Sequence, residues 1–255
     1  MNRILFEPEE IHDGAVTFDG VRAAHVVEVL HGSAGQVLKT GVLGGKIGTS
    51  EIMAVRARGD AENPWEVSVR CAHDAESPRP WVDLVLAPPR PRALKRLLPQ
   101  FASMGVGKIV LVGAEKVEKA FWGAQLLKPE IHRPLLVDGL MQAGTSFVPE
   151  IRCERNFRRY AESRLVDEFA GCDKVVGHPS GGRRAADGTR RTARGLVVAI
   201  GPEGGWTDGE LALLESKGFR RRSLGRRILK TDTAAIALLA QLMETYDAEG
   251  PDFRN

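Results

Sequence analysis

The chain has 255 residues, 43% hydrophobic and 27% charged, a globular composition that excludes long disorder and fits one large domain or two smaller ones. Its net charge of +3 is unevenly spread: residues 1–80 carry 8 Lys/Arg against 12 Asp/Glu, whereas residues 81–255 carry the other 28 against 21. Three cysteines without paired spacing exclude a disulfide framework and a CxxC-type zinc site, and apolar runs as short as Leu196–Ile200 exclude a membrane span.

The amino terminus lacks the apolar core of a signal peptide, so a cytoplasmic location is expected. Residues 1–75 predict a mostly β module. Strands are expected at Val37–Thr40, Lys46–Arg58 and Glu66–Arg70, punctuated by Gly41, Gly44-Gly45 and Asn63-Pro64. One helix is expected over Arg22–Leu30, where Ala23, Val26, Val27 and Leu30 share a face. Residues 75–80, with Pro78 and Pro80, read as a linker, because proline and small polar residues prevent regular structure.

From Trp81 the pattern turns to alternating strands and helices. Apolar runs at Val82–Ala87, Ile109–Val112, Val175-Val176 and Leu196–Ile200 predict buried parallel strands. Helices are predicted near Arg92–Met104, Glu130–Gln142 and Phe157–Phe169, giving an α/β organisation. No internal repeat is present.

Two basic clusters fall in this part. One is Arg220, Arg221, Arg222, Arg226, Arg227 and Lys230; the other is Arg183, Arg184, Arg190, Arg191 and Arg194. Each alone is compatible with a solvated basic face, but together they favour an RNA or nucleotide partner. No GxGxxG follows a strand, and Walker, HExxH and GxSxG motifs are absent. Dinucleotide oxidoreductases, P-loop enzymes, zincins and α/β-hydrolases are thereby disfavoured, and six scattered histidines imply no metal.

Chemistry concentrates between Gly195 and Tyr246. The strand Leu196–Ile200 runs into Gly201-Pro202-Glu203-Gly204-Gly205, and Thr207 with Glu210 forms a capping box for the next helix. A strand followed by a glycine-rich bend and a helix start is how α/β folds place ligands at strand carboxyl ends. A tight turn without a ligand is the alternative. A second bend follows: a strand over Phe219–Leu224, Gly225, basic residues, Thr231 as helix N-cap, and a helix from Ala234 to Met243. Neither bend supplies an evident nucleophile.

The segments Ile200-Gly-Pro-Glu-Gly-Gly205 and Leu224-Gly-Arg-Arg-Ile-Leu-Lys-Thr-Asp-Thr-Ala234 resemble the signature of the RsmE family, 16S ribosomal RNA uridine-N3 methyltransferases of the SPOUT superfamily. The start is similar too, with Arg3 and Phe6 in a first strand and His25-Val-Val-Glu-Val-Leu30. The chain departs from the family pattern at Gln100, Ser103, Met141 and Thr145, and carries Lys230 and Asp232 where Arg and Glu are usual.

The resemblance implies an amino-terminal PUA-like β-barrel (1–75) that binds RNA. It also implies a carboxyl-terminal SPOUT methyltransferase domain (81–247) tied in a trefoil knot, a homodimer, S-adenosylmethionine as cofactor and 16S rRNA in the small subunit as partner. Ile200, Gly201, Gly204 and Gly205 would form one wall of the cofactor pocket, and Leu224, Gly225, Ile228, Leu229 and Thr233 the other. His178 would line the same pocket, unless it is a loop histidine without a role. Arg3, Arg22, His25, Arg220, Arg221 and Arg222 are the expected RNA contacts.

For the reaction, Arg227 or Lys230 is expected to stabilise an anionic uracil, and Glu203 either acts as base or is a turn carboxylate bonded to backbone. Two further readings stay open: methylation of another RNA, and a ribosome-assembly protein that has lost catalysis.

Overall fold

The computed structural model describes residues 2–180 and 194–247, with side chains up to Glu244. It divides into two compact units. One holds the chain up to Arg79 together with Ala102–Met104 and Pro134–Val148; the other holds Pro80–Phe101, Gly105–Arg133 and the chain from Pro149 onward.

The first unit is built on a curled five-stranded sheet. Its strands are β1 (Ile4–Phe6), β2 (Ala15–Phe18), β3 (Val37–Val42), β4 (Ile47–Ala57) and β5 (Trp65–Ala75), in the order β1-β3-β4-β5-β2. β1 runs parallel to β3 and every other pairing is antiparallel. β4 shifts register between Ile52 and Ala54, a bulge of the kind that bends long antiparallel strands. Alternate residues of these strands, among them Leu38, Ile52, Val67 and Val69, meet Ile4, Phe6, Val16 and Phe18 in one core.

A short helix, α1 (Gly20–Ala24), covers this core and widens into a π-turn over His25–Val29. Ala23 and Val26 are buried and Val27 packs against the core, as their shared face predicts, but Leu30 is 40% exposed. The cause is the π-turn: the Leu30 N–H bonds to the His25 carbonyl five residues back, so the extra residue rotates Leu30 off the apolar face.

In the second unit six strands lie parallel: β6 (Val82–Leu86), β7 (Val106–Val112), β8 (Glu150–Glu154), β9 (Cys172–Gly177), β10 (Gly195–Ile200) and β11 (Arg220–Arg222). Their order is β11-β9-β10-β6-β7-β8. The central strands β6 and β10 are buried over their whole length, which is why both read as mainly apolar runs, β6 interrupted by Asp83 alone. The helices are α2 (Pro91–Ser103), α3 (Pro129–Ala143), α4 (Phe157–Ser163), α5 (Leu165–Glu168), α6 (Asp208–Ser216) and α7 (Thr231–Asp247). The second half of α3 belongs to the first unit.

The helix predicted over Phe157–Phe169 is two helices. Arg164 leaves the helical region at φ −131° and ψ −26°, its guanidinium bonded to Glu154 and stacked 5.8 Å from the Tyr160 ring. The break lets Glu168 turn back to accept bonds from Lys108 (3.1 Å), the Tyr160 hydroxyl (2.9 Å) and Arg152.

Chain direction across the sheet reverses between β6 and β10. From β6 the chain steps outward to β7 and β8, while from β10 it goes past β9 to β11. The carboxyl ends of strands flanking such a reversal diverge, and the crevice between them is where open α/β sheets bind ligands.

Candidate functional site

β10 ends at Ile200, and its last carbonyl still accepts the Ala87 N–H (2.9 Å), holding the bend that follows beside the end of β6. The Gly205 N–H closes a turn onto the Pro202 carbonyl (2.8 Å), and Gly205 sits at φ +68°. Trp206 then folds back beneath the bend, 5% exposed, with its ring 5.1 Å from Phe157. A Cβ on Gly201 would come within 3.1 Å of Trp206, so glycine is what lets the indole close that side. The expected capping box is formed: Thr207 N–H to Glu210 at 2.9 Å, and Glu210 N–H to the Thr207 hydroxyl at 3.3 Å. Lys116 fastens the bend, its Nζ donating to the Gly204 carbonyl at 2.8 Å.

The second bend leaves β11. The Arg222 carbonyl accepts the His178 N–H (3.0 Å), which aligns the end of β9 with the end of β11. Ser223 Oγ lies 3.0 Å from the Pro179 carbonyl and accepts the Gly225 N–H at 3.2 Å. Gly225 turns the chain at φ +118°, a conformation that side-chain-bearing residues reach only under strain. α7 starts at Thr231 itself, one residue earlier than an N-cap there requires, with the Lys230 carbonyl accepting the Ala234 N–H (2.8 Å). Asp232 accepts the Thr233 N–H at 2.9 Å and the Arg96 guanidinium at 3.1 Å. The Thr233 bond is the largest influence on its carboxyl; with Arg96 it outweighs partial burial and holds the group below the usual carboxylate range.

The two bends enclose a cleft of about 460 Å³, inside the range of small-molecule sites. Its lining includes His178, Ile200, Gly201, Gly204, Gly205, Leu224, Gly225, Ile228 and Leu229, so the two motifs separated in sequence meet in space. Glu203, Arg222 and Arg227 line it as well. Thr233 is outside the lining and exposed. Its neighbours Thr231 and Ala234, three residues apart on one helix face, take that wall instead. Trp206, Lys116 and Leu238 also line the cleft; they escaped the sequence reading because none lies in a residue pattern of its own.

The Ser180 N–H donates to His178 Nδ1 (3.2 Å), which places the ring proton of the neutral form on Nε2. Burial, helped by the charge of Arg221, pushes its pKa below that of an ordinary histidine.

A second cleft, of about 540 Å³, shares Glu203, Ile228, Leu229 and Thr231 with the first. Its other walls bring Arg90, Arg92, Arg96 and Lys230 together at the start of α2 and α7. Lys230 therefore faces this second cleft and Arg227 the first. Glu203 spans both, with its Oε1 accepting the Arg90 N–H at 3.0 Å.

The remaining expected contacts are dispersed. Arg3 gives its donors to the carbonyls of Gly144 (2.9 Å), Thr40 (2.6 Å) and Gly48 (2.8 Å) in the first unit. Arg22 pairs with Glu10 and lies over the rings of Phe6 and Phe18 at 5.6 and 5.4 Å. His25 Nε2 is buried with no hydrogen-bond partner among the described residues. Arg220 lies 3.9 Å from Asp173, and Arg221 grips Glu215 through two bonds of 2.6 and 2.8 Å. Of the second basic cluster, Arg183, Arg184, Arg190 and Arg191 lie outside the described residues. No helix among the described residues is long and apolar enough to cross a membrane, and no group of three metal-ligating side chains occurs among them.

Residues 75–243 match the model of an RNA methyltransferase domain. Over 97% of its length the chain is 32% identical to ribosomal RNA small subunit methyltransferase E of Treponema pallidum, covering 92% of that protein. It is 24% identical to ribosomal RNA small subunit methyltransferase E 1 of Borreliella burgdorferi, covering 93% of this chain and 95% of the relative. The same fold occurs in the Neisseria gonorrhoeae enzyme of that name bound to S-adenosylmethionine (TM-score 0.70, 20% identity, 96% of this chain and 98% of that one). It occurs again in a Legionella pneumophila methyltransferase in complex with the same cofactor (TM-score 0.71, 24% identity, 96% and 98%). With this domain match and this full-length relative, the chain belongs to the ribosomal RNA small subunit methyltransferase E family of RNA methyltransferases.

Proposed function

We propose that the protein transfers a methyl group from S-adenosylmethionine to N3 of a uridine of 16S ribosomal RNA in the small subunit. The observation that carries this reading is the meeting of the two glycine bends, at the ends of β10 and β11, around one cleft. Its residues suit a nucleoside cofactor. Main-chain groups of the bends can hold the adenine and ribose edges, and Ile200, Leu224, Ile228 and Leu229 supply apolar faces. Ile228 is 87% exposed, apolar surface that a bound ring would cover.

The finer architecture and setting belong to the same proposal. The first unit acts as a PUA-like RNA-binding barrel, residues 81–247 form a knotted SPOUT domain, and the enzyme works as a cytoplasmic homodimer.

When bound, the cofactor supplies a methyl group on a positively charged sulfur. The chain's own task is mainly to hold the uracil N3 in line with it, a contribution worth about 7–11 kcal/mol when alignment is good. N3 carries a weakly acidic proton that must leave first. Glu203 stands where the two clefts join and is the proton acceptor in this reading. Arg227 on one side and Lys230 on the other stabilise the uracil anion. The basic second cleft favours an RNA substrate over a small neutral one, since Arg90, Arg92, Arg96 and Lys230 attract phosphates.

Incubating the protein with methyl-labelled S-adenosylmethionine and 30S particles from cells lacking their own enzyme tests the proposal. The expected product is N3-methyluridine in 16S rRNA, mapped by mass spectrometry. Label in transfer RNA would instead support the related enzyme reading, and absence of any transfer would support a non-catalytic assembly protein.

A further inference from the structure

The three arginines of β11 are not equivalent. Arg220 lies near Asp173 and Arg221 is held by Glu215, whereas Arg222 has no carboxylate within 4.0 Å and no side-chain hydrogen bond among the described residues. Its Nε is buried without a partner, and the residue lines the cleft between the two bends. A guanidinium with no carboxylate partner on a cleft wall keeps hydrogen-bond donors available for an anion that enters the cleft. The one carboxylate in the lining of that cleft, Glu203, is engaged with the Arg90 N–H.

We infer that Arg222 is the receptor for the α-carboxylate of the methyl donor, an assignment that rests on the function proposed above. The chemistry matches: a guanidinium offers parallel N–H donors that suit a carboxylate, and the donor's amino-acid end carries its sole carboxylate. Arg222 lines the cofactor cleft and is not part of the basic second cleft. Its half-buried setting suits a small ligand enclosed by the bends rather than the phosphate of a polymer on the surface. Anchored there, the amino-acid end lies toward β9 and β11, beside His178. Arg222 acts in this way as a positioning residue, fixing which end of the donor enters first.

Calorimetric titration of the full chain with S-adenosylmethionine and with its decarboxylated analogue, which lacks only the carboxylate, tests the assignment. The wild-type protein should bind the intact donor about ten- to a hundredfold more tightly than the analogue. Arg222→Met should remove that preference, weakening the intact donor by the same factor while leaving the analogue's affinity unchanged, and Arg222→Lys should restore part of it. Equal weakening of both ligands in Arg222→Met, or no weakening of either, would overturn the assignment. Failure of the wild-type protein to bind either ligand would overturn the functional reading itself, and the assignment with it.

Discussion

At the scale of single residues, two positions show how conformation and charge carry the account. Gly225 turns the second bend at φ +118°, with nothing within 4 Å of where a Cβ would stand, so space is available but the backbone is not. Gly225→Ala should lower stability by about 1–3 kcal/mol through strain alone, read as a reduced thermal midpoint. Glu168 is the second case. Burial opposes its ionisation, but bonds from Arg152, Lys108 and Tyr160 outweigh burial and hold its carboxyl below the ordinary 4.5. A depressed carboxyl stabilises the fold above its unfolded pKa and loses that contribution as pH falls through the folded value. Glu168→Gln should therefore destabilise the protein near neutral pH, by about 1–3 kcal/mol for the weakened charge-assisted hydrogen bonds of a half-buried carboxylate, and flatten the loss of stability as pH falls below about 4.5. A parallel shift of the whole stability–pH curve would contradict this. Lys108 behaves oppositely. Burial lowers its pKa, but the bonds to Glu168 and Glu150 outweigh that and raise it above 10.5. Its share is then fully present below pH 10.5 and lost as pH rises through the raised value.

At the scale of elements, the π-turn after α1 makes a specific claim. Val26 is fully buried and Leu30 is 40% exposed, although a regular helix would put both on the core face. Val26→Ala should cost about 2 kcal/mol, whereas Leu30→Lys should change stability by less than about 0.5 kcal/mol in chemical denaturation. A cost for Leu30→Lys as large as that for Val26→Ala would mean that the helix is regular. The same comparison shows what the sequence could convey. Strands buried on both sides, β6 and β10, stand out because nearly every residue is apolar, Asp83 of β6 being the exception. β8, Glu-Ile-Arg-Cys-Glu at the sheet edge, is half-exposed and charged, and it was invisible to hydrophobic pattern. The capping box at Thr207 was legible because both partners are local. The pairing of Arg221 with Glu215 and the buried face of Trp206 depend on chain reversals that no local pattern records. The fate of Arg3 and Arg22 was hidden for the same reason, since each is bonded to groups from several segments of its unit.

At the scale of the whole molecule, the proposal joins a cofactor cleft in one unit to RNA recognition spread across the chain. Residues 1–80 carry more acidic than basic groups, so their contribution to RNA binding cannot come from net charge. The basic groups beside the cofactor cleft are the better source of phosphate attraction, and Arg92, with no ion-pair partner among the described residues, tests this cleanly. Arg92→Glu should weaken binding to 16S rRNA about tenfold and reduce its salt dependence while leaving cofactor affinity unchanged. Unaltered RNA affinity and salt slope would remove that cleft from the interface. A homodimer predicts a sedimentation mass of about twice the 27.8 kDa of one chain; a single-chain mass at working concentration would contradict it. The central claim, that two bends distant in sequence jointly enclose the methyl donor, is tested most directly by a crystal structure of the protein grown with S-adenosylmethionine. The account predicts the cofactor between Gly201–Gly205 and Leu224–Leu229, with its carboxylate at Arg222. A cofactor seated elsewhere, with that cleft empty, would contradict it.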